Sequence, residues 1–272
     1  MSIVTRFAPS PTGFLHLGHA HAALTAWSAA RRARGSFLLR IEDIDPGRCR
    51  PAFAAAIMQD LAWLGLDWDG SLTQSKHLAD YAAALDDLRR RGLIYPCFCT
   101  RADIAQAAAA PHEGAAAYPG TCRRLADRER EDRIAAGAPH AWRLDMTRAL
   151  SLAGELSFQE RGETTRCDPA PFGDVVLARK DAPASYHLCA THDDALQGVT
   201  LVTRGADLLP ATHVHRLLQA LMGWPTPAYA HHALLAGPSG RRLAKRDAAA
   251  SLRELRASGA SPEAVRAMAG HP

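Results

Sequence analysis

A chain of 272 residues that is 47% hydrophobic and 22% charged can bury one large core or two modest ones, which excludes a disordered or fibrous protein. Its net charge of +4 fits a polyanionic partner and equally fits enzymes without one, so charge selects no function class. No apolar run reaches membrane-spanning length, and Met1 to Arg6 lacks the charged-then-apolar order of a signal peptide; a cytoplasmic protein without membrane contact is expected.

Ile3 to Phe7 reads as a buried strand. Pro9 and Pro11 stop it, and Gly13 allows a tight turn before an Ala-rich helix from about Ala20 to Arg34. His16 and His19 therefore stand at the helix mouth, where N–H groups and the positive dipole end favour an anion. Leu17 and side-chain-free Gly18 let the imidazoles approach it, which suits a nucleotide triphosphate. A pair of this spacing also occurs on helix surfaces without chemistry, or as a metal pair. Ser36 to Ile41 is the next strand, after a helix that ends near Gly35, so strand, helix and strand predict a parallel βαβ unit.

His16-Leu17-Gly18-His19 resembles the His-Ile-Gly-His signature of class I aminoacyl-tRNA synthetases. Arg6 to Gly13 and Glu42-Asp43-Ile44-Asp45 are similar to the glutamyl and glutaminyl branch in particular. The resemblance covers nearly the whole chain. It implies an α/β fold, a Rossmann-like doubly wound parallel sheet with an inserted zinc-containing acceptor-type subdomain and a short helical C-terminus. The expected division is 1–95 and 171–236 for the two halves of the nucleotide-binding fold, 96–170 for the insertion, and 237–272 for a basic loop and the last helices.

Further along, Pro51 to Leu64 and Lys76 to Arg91 read as amphipathic scaffold helices closed by Gly65 and Gly92. From Tyr95 to Cys122 core periodicity is lost. Cys97, Cys99 and Cys122 cluster among six cysteines, and in a reducing compartment such a cluster favours a structural, tetrahedral Zn²⁺ over disulfides. His112 is available as a fourth ligand of ordinary type, the resemblance implies Tyr118 instead, and buried free cysteines are the plain alternative. Leu125 to Ala136 reads as a charged, solvated helix. Ala141 to Met146 and Ser157 to Gln159 read as short strands of the insertion, Asp174 to Ala178 and Tyr186 to Ala190 as buried strands. Val199 to Thr203 is a strand running into Arg204, Pro210 opens a helix to Met222, and His231 to Leu235 is the last strand. Gly237 to Arg246 is a basic loop similar to the family's Lys-Met-Ser-Lys-Ser loop, with Arg242 for the first lysine, Ala244 for the serine, and Lys245 retained. Helices over Ala248 to Ala257 and from Ser261 onward close the chain.

The resemblance assigns roles as well. A glutamate pocket needs guanidinium groups for carboxylates and an acid for the ammonium. Arg6 and Arg204 are the expected clamps, Glu42 the acid, Ser10 and Tyr186 neutral hydrogen-bonding groups, and Phe7, Ala8 and Pro9 the adjoining wall. His16, Gly18, His19 and Lys245 are expected to bind ATP, with Mg²⁺, and His16, His19 and Lys245 to act in adenylate formation. The chain stops about two helices after the basic loop, so the family's helical anticodon-binding domain is expected to be missing. That implies L-glutamate activated without tRNA and transferred to queuosine in the anticodon of tRNA(Asp), by a monomeric enzyme. A minimal synthetase charging a tRNA 3′ end, another nucleotidylyltransferase, and a non-catalytic zinc RNA-binding protein are the alternatives.

Overall fold

The computed structural model describes residues 2–100, 102–104, 118–235 and 250–271. Strand β1 (Val4–Phe7), helix α1 (Leu17–Arg32) and strand β2 (Ser36–Ile41) form the expected parallel βαβ unit, with Val4 opposite Ser36 and Phe7 opposite Leu39. The return from α1 to β2 is tight. A Cβ at Gly35 would lie 2.0 Å from the Ile3 carbonyl oxygen, so only glycine lets the strands meet in this register. Strand β3 (Gly70–Thr73) adds in parallel to β2 after helix α2 (Pro51–Trp63).

The remaining parallel strands are β9 (Leu201–Gly205) and β10 (Ala228–His232), with β6 (Ser157–Glu160) beside β10 and β7 (Glu163–Arg166) antiparallel to β6. Thr200 N donates to Val4 O at 3.0 Å, and Val4 N to Thr200 Oγ1 at 2.8 Å, which places β9 against β1. The two sheets, β3-β2-β1 and β9-β10-β6-β7, thus meet edge to edge at β1 and β9, and connectivity reverses between those two strands. In open parallel sheets, ligands lodge at the carboxyl ends of the strands at such a switch point. A separate antiparallel sheet joins β4 (Ile94–Cys97), β5 (Ala141–Leu144) and β8 (Val176–Ala178).

Phe37, Leu39 and Ile41 of β2 pack against Ala20, Ala23 and Leu24 of α1 and against Ile57 and Leu61 of α2. Leu252 of α8 (Leu252–Ala257) and Val265 of α9 (Pro262–Met268) belong to the same core, so the C-terminal helices are built onto α1. Ser251 and His16 form an antiparallel bridge and Leu252 N donates to Leu15 O at 2.8 Å. The chain after residues 236–249 is therefore fastened beside the His16 turn.

Three elements differ from expectation. Tyr186 to Ala190 is not a strand; it opens helix α6 (Tyr186–Leu196), with Ser185 at the N-cap in extended conformation. A short apolar run does not distinguish strand from buried helix, and here Leu188, Cys189, Ala190 and Thr191 are all buried. The last strand runs Ala228–His232 rather than from His231 to Leu235, paired residue for residue with β9. Met146 ends no strand but begins helix α5 (Met146–Ala153), capped by the Asp145 carboxylate, which accepts from Arg148 N at 3.1 Å. In addition, β6 lies in the sheet of β9 and β10, not with β4 and β5. Helices α3 (Leu78–Arg90), α4 (Asp127–Ala135) and α7 (Leu209–Met222) fall where expected.

Candidate active site

At the switch point a cavity of about 330 Å³ is lined by Arg6, Phe7, Ala8 and Ser10 from the end of β1, Glu42 after β2, Tyr186 at the start of α6, and Thr203, Arg204 and Gly205 at the end of β9. This is small-molecule size. The expected amino-acid residues thus converge, except that Pro9 serves through its backbone, its carbonyl accepting from Glu42 N at 3.0 Å. Thr203, Gly205, Ala22 and Leu208 also line the cavity and were not foreseen.

Charge at the cavity floor is tightly organised. Asp194 of α6 accepts from Arg6 Nε at 2.9 Å and from Arg40 NH2 at 2.8 Å. Burial works against that carboxylate, but the two guanidinium groups hold it below the usual range. Arg40 is fully buried; desolvation opposes its charge, and Asp194, Glu42 and Asp193 restore it. Asp193 is held in turn by Tyr81 OH at 2.9 Å and Gln74 Nε2 at 2.8 Å. Burial pushes the Glu42 carboxyl above its ordinary range, with Arg40 and Arg6 pulling against it. Such a group gains from a cation brought alongside it. A lone arginine in the apolar run of β2 was the available sign of this network, and Asp193-Asp194 lacked any local cue.

Arg204 is built differently. Its Nε donates to His231 Nε2 at 3.1 Å, NH1 to Tyr186 OH at 3.1 Å and to His215 Nδ1 at 3.3 Å, and NH2 to Thr212 Oγ1 at 2.7 Å. Burial holds His215 well below its ordinary pKa and lowers His231 too, with Arg204 adding to both, so these acceptors are uncharged at neutral pH. Among the described residues no carboxylate lies within 4 Å of this guanidinium. Its charge therefore faces the cavity without a direct counter-charge.

The two histidines at the helix mouth form a cap. His16 Nδ1 accepts from Gly18 N at 3.1 Å, and His19 Nδ1 accepts from His16 N at 3.2 Å. With Nδ1 accepting, each ring carries a proton on Nε2, the side that donates to an anion. A Cβ at Gly18 would sit 3.0 Å from His16 Cε1, which is why the intervening residue is glycine. Helix α1 starts at Leu17, three residues earlier than expected, because this imidazole cap replaces the usual hydroxyl or carboxylate. Arg242, Ala244, Lys245 and Arg246 lie outside the described residues, as does His112.

Away from the cavity, Cys97, Cys99 and Cys122 bring their sulfur atoms within 4.8 Å of one another. Cys99 Sγ is 3.4 Å from Cys122 Sγ and 3.5 Å from Tyr118 OH, and Tyr118 OH also accepts from Cys122 N at 2.8 Å. Burial pushes the Cys99 thiol up to about 11, although Tyr118 opposes it. For Cys122 burial raises the pKa, but hydrogen bonds from Tyr118 and Phe98 N–H outweigh it and favour the thiolate. Three converging sulfurs and a phenol oxygen fit a tetrahedral, sulfur-rich metal site. This is the one such group of metal-ligating side chains among the described residues.

Residues 2–270 match the family model for the catalytic domain of class I tRNA synthetases (E and Q). The chain is 50% identical to a glutamyl-Q tRNA(Asp) synthetase of Rhodobacter capsulatus, over 98% of this chain and 100% of that one. It is 47% identical to a protein of the same name from Nocardia farcinica, over 97% of this chain and 82% of that one. Among solved structures, a glutamate tRNA ligase of Elizabethkingia meningosepticum in complex with its amino acid superposes with a TM-score of 0.77 at 30% identity, over 91% of this chain and 52% of that one.

Proposed function

The chain belongs to the class I tRNA synthetases of the glutamyl and glutaminyl type, and from that premise we propose that it activates L-glutamate with ATP and transfers it to queuosine in the anticodon of tRNA(Asp). The observation that carries the amino-acid part is the cavity at the switch point, where Arg6, Arg204 and Glu42 face one small volume. Guanidinium groups pair with carboxylates, and the buried Glu42 carboxylate is stabilised by the substrate ammonium. A glutamine side chain would leave Arg204 facing a neutral amide, so glutamate is the better match. The acceptor is drawn from the names of the relatives that align along almost the whole chain.

The reaction needs no protein nucleophile. The α-carboxylate attacks the α-phosphorus of ATP and pyrophosphate leaves; a hydroxyl of the modified base then attacks the acyl carbon of the glutamyl-adenylate, losing its proton as the ester forms and AMP leaves. Catalysis of this kind rests on positioning and on stabilising charge that builds on phosphate oxygens. The Nε2–H groups of His16 and His19, beside the N-terminus of α1, donate to those oxygens, and Lys245 is assigned to the same work. Mg²⁺ bound with ATP supplies further neutralisation of the phosphates. Arg6 and Arg204 orient the substrate, and Tyr186 and Ser10 add neutral hydrogen bonds. Cys97, Cys99, Cys122 and Tyr118 are assigned to a structural Zn²⁺ that ties β4 to the segment opened by Tyr118. The division into 1–95, 96–170, 171–236 and 237–272 is kept as the domain proposal, with β6 and β7 of the second segment paired into the sheet of the third, and the cytoplasm as the compartment.

The test is transfer of labelled glutamate, with ATP and Mg²⁺, to tRNA(Asp) with and without queuosine and to tRNA(Glu), followed by ribonuclease fragmentation. Label in the anticodon fragment of queuosine-containing tRNA(Asp) alone is expected. Label at the 3′ end of tRNA(Glu) would replace this reading with a minimal charging enzyme.

A further inference from the structure

The Arg204 clamp is held by a chain of groups that ends on a different strand. His231, whose ring is almost wholly buried, offers Arg204 Nε the lone pair of Nε2 at 3.1 Å. An arginine only donates, so this bond requires the ring proton to be on Nδ1. Nδ1 lies 2.7 Å from Glu160 Oε2, a carboxylate that only accepts when ionised. Glu160 Oε1 takes the backbone N–H of the same His231 at 2.9 Å. One carboxylate thus grips both ring and backbone of His231 and selects the tautomer that Arg204 needs. Thr212 Oγ1, 3.3 Å from the same Nε2, accepts from Arg204 and completes the cradle.

Glu160 reaches this position through local geometry. It is the last residue of β6, opposite Tyr229 of β10, just before the Arg161-Gly162 turn, where both residues have positive φ (51° and 87°). Arg161 N donates to Tyr229 O at 2.8 Å and fixes the hairpin to β10.

We infer that Glu160 and His231 are positioning residues that orient Arg204 as the carboxylate clamp and so set the affinity for the acidic amino acid; this rests on the proposed function. A carboxylate placed directly on Arg204 would hold the guanidinium and consume its charge. With an imidazole between them, Glu160 orients the guanidinium while the substrate carboxylate remains its nearest counter-charge. The same logic gives the relay no part in binding ATP.

The experiment is glutamate-dependent ATP–pyrophosphate exchange on the full chain, with thermal unfolding of each variant. For Glu160→Ala and His231→Leu the KM for glutamate is expected to rise roughly tenfold, as for loss of one hydrogen bond to a charged group, while kcat and the KM for ATP change less than about twofold. His231→Gln, whose amide oxygen can accept from Arg204, should recover most of the loss. An unchanged KM for glutamate in folded Glu160→Ala overturns the inference. So does a parallel rise in both KM values with a lowered unfolding temperature, since that is a structural role only. Absence of exchange in the wild-type chain would instead overturn the proposed function on which the inference stands.

Discussion

The two arginines that face the cavity carry the same charge in opposite circumstances. Arg6 is already paired with Asp194 at 2.9 Å, whereas among the described residues Arg204 is hydrogen-bonded to a phenol, a threonine and two imidazoles and to no carboxylate. The second is therefore the stronger recruiter of a carboxylate, and the proposed choice between acid and amide rests on it. Arg204→Gln is expected to lower kcat/KM for glutamate on the order of a hundredfold and to lower it far less for glutamine, read by pyrophosphate exchange with each amino acid. Equal losses with both would assign Arg204 to scaffold. In the sequence Arg6, Glu42 and Arg204 were legible only as candidates at the ends of apolar strands, and the resemblance supplied their expected roles. Their partners were not, because Arg6 and Asp194 are 188 residues apart and neither has a local reason to find the other.

At the scale of elements, the site depends on how strand ends and helix starts are finished. Helix α1 is capped by His16 and His19, so the residues that close the helix are those proposed to meet phosphate. The antiparallel sheet of β4, β5 and β8 has another kind of closure. Its β4 end carries Cys97 and leads to Cys99, which meets Cys122 and Tyr118 from further along the chain, and a metal there would tie the two segments together. Cys122→Ser is expected to reduce bound zinc from about one per chain to well below that and to lower the unfolding temperature, while glutamate activation persists at permissive temperature. Zinc content by atomic absorption alongside calorimetry reads both. Full zinc retention in the variant would remove Cys122 from the ligand set. The cysteine spacing announced this group. The strand reading of Tyr186 to Ala190 failed for the opposite reason, since an apolar run of five residues carries no period long enough to separate helix from strand.

For the whole molecule, the burial that shapes the cavity also sets its response to acid. His187 of α6 packs beside His215 of α7 and close to Arg204; burial first, and then Arg204, lowers its pKa to about 4. In the unfolded chain a histidine titrates near 6.5. Between these values the unfolded state binds the proton and the folded state does not, so stability rises with pH across this window and falls as pH drops from about 6.5 toward 4. The single group accounts for at most about 3 kcal/mol of that loss. His187→Gln is expected to flatten the dependence, measured by denaturant unfolding at pH 7 and pH 5. An unchanged slope would mean that His187 is solvated in the folded chain.

The sequence by itself determined what is local. The Pro-Gly turn into α1, the helix ends at Gly65, Gly92 and Gly223, the βαβ unit, the place of His16 and His19 at the helix mouth and the Cys97–Cys99 pair all follow from spacing, caps and backbone freedom within a few residues. Tertiary structure alone decided which groups meet. It brought Asp194 between Arg6 and Arg40 and set Glu160 behind His231, 71 residues away. It also placed β9 against β1, so that Arg204 and Glu42 face one cavity. The physical reason is that caps and turns are settled by neighbours in sequence. A buried charge finds its partner only through strand order and register, which belong to the folded sheet as a whole.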